Sequence, residues 1–150
     1  VIISGHWPIT HTNPQFFDYL RDYTHMYRKI HQSTMPLAEE DVHFELDSRA
    51  GWIWPYRTVQ PDASPVEVKV TVRNPMPRKA SLELRLVGPP GWHGSSTTLA
   101  APPRAEVHCE LSITPAGPCR RQPFVAELTV DGQPFGQIAE ALVTVGNARF

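Results

Sequence analysis

Cysteine is scarce in this chain: Cys109 and Cys119 are the two in 150 residues. That is too few for a disulfide framework, and their number and spacing do not make a structural zinc site. Cys109 falls on the apolar side of an alternating segment and Cys119 in a Pro/Gly-rich loop, so a loop-closing bond and a pair of free thiols both remain open. An excess of charge is missing too. Fourteen basic against 15 acidic residues leave a formal net charge of -1, which gives neither nucleic acid nor an anionic membrane an electrostatic footprint. No apolar run reaches the roughly 18 residues of a transmembrane helix, and the first residues lack the pattern of a signal peptide. The chain therefore reads as soluble, with the cytoplasm favoured, and with no nucleic-acid or membrane partner.

The motifs of several enzyme classes are also missing. There is no Gly-rich phosphate loop, no HExxH-type metal pair and no Ser/His/acid arrangement at motif spacing.

What is present divides near residue 50. Five of the seven histidines precede that point and thirteen of the sixteen prolines follow it. The expected organisation is a strand and helix with linker over 1–50, then a β-rich domain over 51–150.

In the first segment Val1-Ile2-Ile3 reads as a buried strand end. Asn13-Pro14 is a helix start, because Asn accepts from orphan N–H groups and Pro at the first helical position has none to orphan. Phe16, Leu20, Tyr23, Tyr27 and Ile30 follow at spacings of 4, 3, 4 and 3, one apolar stripe of a helix that needs a partner surface. Arg21, Asp22, His25, Arg28, Lys29 and Gln32 fall elsewhere on it. A short helix is expected after Pro36, within 35–46.

The second segment alternates with period two. Val66, Val68, Val70 and Val72 are interleaved with Glu67, Lys69, Thr71 and Arg73, as in a strand with one buried face. The pattern returns at Leu82/Leu84/Leu86, at Val107/Cys109/Leu111/Ile113 and at Phe124/Ala126/Leu128/Val130. Proline- and glycine-rich turns separate these runs, and Asp131-Gly132 is a hairpin signal. With "WIWPYRTV", "GSSTTLAA" and "IAEALVTV" this makes about seven strands. The expected fold is mainly β: an antiparallel immunoglobulin-like β-sandwich, preceded by a strand-helix segment of an α/β domain.

Candidate functional residues are few. Trp52, Trp54, Tyr56 and Trp92 are a possible binding surface for sugar or protein, or plugs at the ends of the sandwich. Glu67, Glu83, Glu110 and Glu127 read as the solvated face of the sheets. His6 stands where a buried strand ends in a Ser-Gly turn, the end at which α/β folds place ligands; one histidine does not make a metal site.

The stretch "VIISGHWPIT" followed by "NPQFFDYLRDYTHMYRKI" resembles the C-terminal end of a metallo-β-lactamase-fold hydrolase, in which a late strand runs into a Gly-His pair. The resemblance implies that His6 is the last ligand of a zinc or other divalent metal centre, with the remaining ligands outside this chain. On that reading no catalytic residue lies in the chain, no tightly bound metal is expected on it alone, and it begins inside a catalytic domain. "WPYRTVQPDASPVEVKVTVRNPMPRKASLELRLVGPPGW" resembles the immunoglobulin-like domain that some bacterial members carry after the hydrolase domain. The implied role is an accessory domain for interdomain packing, substrate access or dimerisation. Its partners would be the remainder of the hydrolase domain and a possible homodimer mate. The alternative is a stand-alone binding module for carbohydrate or a protein partner.

Overall fold

Apolar residues every second position put one side of each strand in the dark, and the structure has two sheets built that way. The computed structural model describes residues 2–3, 10–11, 14–34, 39–41, 43–44, 47 and 49–146. They form two compact units, Val1–Ala38 and Glu39–Phe150.

In the first unit, β1 (Ile2–Ile3) pairs antiparallel with β2 (Thr10–His11), Ile2 lying opposite His11. Helix α1 (Pro14–Thr34) opens on the expected proline. Tyr19, Tyr23 and Tyr27 stack along it with centroid spacings of 6.1 and 6.3 Å, as residues four apart on one face must. Phe16 of the apolar stripe is half-buried. Leu20, Tyr23, Tyr27 and Ile30 keep 39, 47, 48 and 53% of their surface exposed. No helix among the described residues is long and apolar enough to cross a membrane.

The second unit is mainly β. Its strands are β3 (Gly51–Trp54), β4 (Arg57–Gln60), β5 (Val66–Arg73), β6 (Ala80–Val87), β7 (His93–Gly94), β8 (Ser96–Ala101), β9 (Glu106–Thr114), β10 (Cys119–Val130) and β11 (Gln133–Val145). One sheet has the order β4-β11-β10-β6-β8 and the other β3-β5-β9-β7. Val66, Val68, Val70 and Val72 from one sheet, and Leu82, Leu84, Leu86, Phe124, Ala126, Leu128 and Val130 from the other, are all buried. The period-two rule thus assigned the inner face residue by residue.

Two expected strands each divide. "WIWPYRTV" becomes β3 in one sheet and β4 in the other, the chain changing sheets at Pro55, which has no N–H for a ladder. The stretch expected as one strand near "GSSTTLAA" becomes β7 on one sheet and β8 on the other. The β10–β11 hairpin turns at Asp131 (φ 49°) and Gly132 (φ 81°), the positive pair that a two-residue type I′ turn requires.

The segment before Gly51 packs with the sheets. Phe44 is fully buried, with its ring edge-on to Phe135 at 5.1 Å, and the Asp41 N–H donates to Pro75 O at 3.0 Å. The β unit therefore begins at Glu39 rather than near residue 50. Of the stretch 35–46, residues 35–38, 42, 45 and 46 lie outside the described ones; Glu39 and His43 lie in turns and Phe44 in a 3-10 helical turn. Asp41 Oδ1 accepts from the His43 N–H at 3.1 Å, the bond by which an Asp caps the start of a helical turn.

Candidate functional site: an aromatic edge

Strand β3 is the edge of its sheet, paired on one side with β5. Ile53 points into the core, so Trp52 and Trp54 on either side of it point outward together. They stand opposite Thr71 and Lys69 of β5, which in turn stand opposite His108 and Glu110 of β9. Two rows result across the outer face: Trp52–Thr71–His108 and Trp54–Lys69–Glu110. Thr71 faces outward yet keeps 3% of its surface, as a short residue flanked by an indole and an imidazole would. Trp54 keeps 68%, the most exposed of the described tryptophans.

Tyr56 extends this aromatic edge toward the other sheet. Its hydroxyl donates to Glu140 Oε1 at 3.2 Å, and the Arg57 guanidinium lies 5.8 Å from its ring centroid, a cation–π contact. Val59 of β4 is exposed beyond it. Glu140, Arg57 and Val59 were not singled out by sequence reasoning. Arg57 and Val59 sit in a run read as one ordinary strand, and Glu140 meets Tyr56 across 84 residues, a separation that leaves no local signal.

Trp92 does not join this edge. It precedes β7, at the opposite end of the strand order from β3. Its half-buried ring packs over Gly88, where an added Cβ would stand 2.8 Å from Trp92 Cε3. An open groove of about 300 Å³ is lined there by Arg85, Gly88, Trp92 and His93. The four candidate aromatics thus separate into a set of three on one edge and a single plug at the other.

Electrostatics concentrate away from the aromatic edge. Burial alone would raise the Asp41 pKa. The hydrogen bond from Arg73, the His43 N–H and the charges of Arg73 and Arg104 outweigh it and hold the carboxyl below the usual value. Asp131 is also lowered, first by the Ser81 N–H and then by Arg78. Burial pushes the Cys109 thiol up, and both Cys109 and Cys119 are free; the raised value makes Cys109 a poor nucleophile.

His6 lies outside the described residues. A zinc centre takes three or four protein ligands, and among the described residues no group of three His, Cys, Asp or Glu side chains meets.

No family model and no curated protein matches the chain. Among solved structures, the chain is similar to the Pseudomonas fluorescens alkylpurine DNA glycosylase AlkC bound to DNA containing an abasic site analog. Identity is 14%, the TM-score is 0.34, and the match covers 65% of this chain and 31% of that one. The chain thus spans about a third of that protein's length.

Proposed function

We propose that this chain is the C-terminal region of a metal-dependent hydrolase of metallo-β-lactamase fold. Its two-sheet unit is an immunoglobulin-like, non-catalytic accessory domain that packs against the hydrolase domain. The observation that carries the reading is the α1 stripe: Leu20, Tyr23, Tyr27 and Ile30 form one apolar face and all remain exposed. An exposed stripe of that size on one helix calls for a covering surface, which the remainder of a hydrolase domain would supply. What supports the immunoglobulin-like assignment is a pair of sheets, β3-β5-β9-β7 and β8-β6-β10-β11, with the extra edge strand β4 parallel to β11.

In the intact enzyme the metal would supply a bound hydroxide near neutral pH, with His6 among its ligands. This chain contributes a single histidine to that centre and carries no step of the reaction by itself.

Calorimetric titration of zinc into the chain and into His6→Ala tests the reading. Weak binding, little changed by the substitution, is expected. Tight stoichiometric binding that His6→Ala abolishes would mean that a complete site lies within these 150 residues, and the reading would fail. A hydrophobic dye should also bind the wild-type chain and lose intensity in Tyr23→Lys/Tyr27→Lys.

A second reading rests on Trp52 and Trp54, which stand two residues apart on one exposed face, about 7 Å along the strand, beside Lys69 and Glu110. Such a face suits the stacking of sugar rings, with polar neighbours for the hydroxyls. Titration with neutral oligosaccharides, read by tryptophan fluorescence, should show saturable quenching that Trp54→Ala removes. No quenching by any of a panel of glucans, xylans and chitooligosaccharides would remove this reading.

A further inference from the structure

Among the described residues, the two sheets of the unit Glu39–Phe150 end in four edge strands, β3, β4, β7 and β8, and three of them are protected. β3 and β4 have four residues each and are separated by Pro55, and β4 carries Arg57. β7 has two residues. β8 is different: it is six residues long, Ser96–Ala101, and from Ser95 to Pro103 the sequence "SSTTLAAPP" holds no charged residue. Edge strands of soluble proteins are ordinarily blunted by charge, internal proline, a bulge or shortness. β8 has none of these over its length.

The register shows what the edge offers. β8 pairs antiparallel with β6, Leu82 opposite Leu99 and Leu84 opposite Thr97. The Leu86 N–H donates to Ser95 O at 3.0 Å, so the Ser95 carbonyl points at β6, while the Ser95 N–H donates to Ser112 O at 2.8 Å. Because hydrogen-bonded pairs alternate along an antiparallel ladder, Thr97, Leu99 and Ala101 face β6 with their backbone groups. The N–H and C=O groups of Ser96, Thr98 and Ala100 point the other way, where no strand among the described residues lies.

We propose that β8 is a self-pairing edge, and that two copies of this chain associate through antiparallel β8–β8 contact about a two-fold axis at Thr98. Thr98 then faces its own copy, and Ser96 faces Ala100 of the second chain in both directions. The arrangement forms up to about six backbone hydrogen bonds and joins the two five-stranded sheets into one. Charge favours a second copy over a charged peptide, since the edge carries no side chain to recognise charge and sets no like charges opposite each other on self-pairing. The outward neighbours on β6, Glu83 opposite Thr98 and Arg85 opposite Ser96, present both signs, and Arg85 is already bonded to Glu127 at 2.7 Å. Leu99 gives a further reason. It is half-buried at the rim, and a second chain would cover it with Thr97 of that copy.

The inference does not depend on the hydrolase reading, and its failure would leave that reading standing. Sedimentation velocity of the full chain over a concentration series tests it, with Thr98→Lys and Val59→Lys alongside. Thr98 and Val59 are exposed residues on different edges, so neither change disturbs the core. The wild-type chain and Val59→Lys should form a dimer that dissociates on dilution. Thr98→Lys puts two ammonium groups face to face and should raise the dissociation constant at least about a hundredfold, with an unchanged circular-dichroism spectrum. Amide exchange at Ser96, Thr98 and Ala100 should slow as wild-type concentration rises. A wild-type chain that stays monomeric at every concentration overturns the proposal. So does a dimer that survives Thr98→Lys, whether or not Tyr23→Lys on α1 abolishes it.

Discussion

Arg73 and Asp41 lie 32 residues apart in the chain and meet through a hydrogen bond of 2.8 Å from Arg73 Nη1 to Asp41 Oδ2. The same guanidinium donates from Nη2 to Asp47 Oδ2 at 3.1 Å, and it lies 5.5 Å from the Phe44 ring centroid. One planar fork at the end of β5 thereby fastens the segment that enters the β unit.

Arg73→Ala leaves two carboxylates partly buried without their partner. It should lower stability by about 2 kcal/mol, between the values for exposed and fully buried pairs. Arg73→Lys should recover less than half of that, since an ammonium cannot span both carboxylates in the plane of the guanidinium. Urea denaturation followed by tryptophan fluorescence reads both. A loss in Arg73→Ala too small to resolve would remove the fastening role.

The pH dependence of stability follows from Asp41 and Asp131, whose pKa values are lower in the folded protein than the ordinary 3.8. A carboxyl with a depressed folded pKa contributes fully above its unfolded pKa, and that contribution is lost as pH falls through the folded value. The urea midpoint should therefore hold steady from neutrality to about pH 5 and drop below about pH 4. Asp131→Asn keeps a residue suited to the turn and should make the acid decline shallower. An equally steep decline in that variant would exclude Asp131 as a source.

Asn74 is fully buried and ties its own stretch, through Arg78, to Ala101 and Pro102. Its Nδ2 donates to Arg78 O at 2.9 Å, Ala101 O at 3.1 Å and Pro102 O at 2.8 Å, and its Oδ1 accepts from the Met76 N–H at 2.9 Å. Asn74→Ala should cost about 3 kcal/mol because the buried groups around it lose their partner. Asn74→Asp should be worse at neutral pH, because it turns a carboxylate toward three carbonyl oxygens. Thermal unfolding of the two variants checks the order.

Gly94 sits against the carbonyl of Leu86, so close that an added Cβ would overlap the Leu86 oxygen and carbonyl carbon. Gly94→Ala must push β7 away from β6 and should cost about 3 kcal/mol. Gly117→Ala, where nothing lies within 4 Å of the added carbon, should stay within about 0.5 kcal/mol of wild type. Comparable losses in the two variants would contradict the close approach at Gly94.

Much of the fold was legible in short windows. The run from Phe16 to Ile30 predicts α1, and the valines of β5 and leucines of β6 predict their buried faces, because helix and strand periodicities act over neighbouring residues. Asp131-Gly132 predicts its turn for the same reason. Most of the stretch 35–46, where a short helix is expected, lies outside the described residues; within it Asp41 starts a helical turn through Phe44, whose ring meets Phe135. The candidate site was legible in part. Alternation about Ile53 puts Trp52 and Trp54 on one outer face, whereas nothing near Trp92 tells that it belongs to the opposite edge.

The sequence by itself determined which side of β5, β6 and β10 is buried and where the β10–β11 hairpin turns, because those depend on side-chain alternation and local backbone preference. The tertiary structure decided which strands are neighbours. It divided "WIWPYRTV" between two sheets, brought Tyr56 to Glu140 and Arg73 to Asp41, and left β8 on a free edge. Backbone hydrogen bonding is the same for every residue type, so the choice of partner strand rests on how distant segments fill one core together.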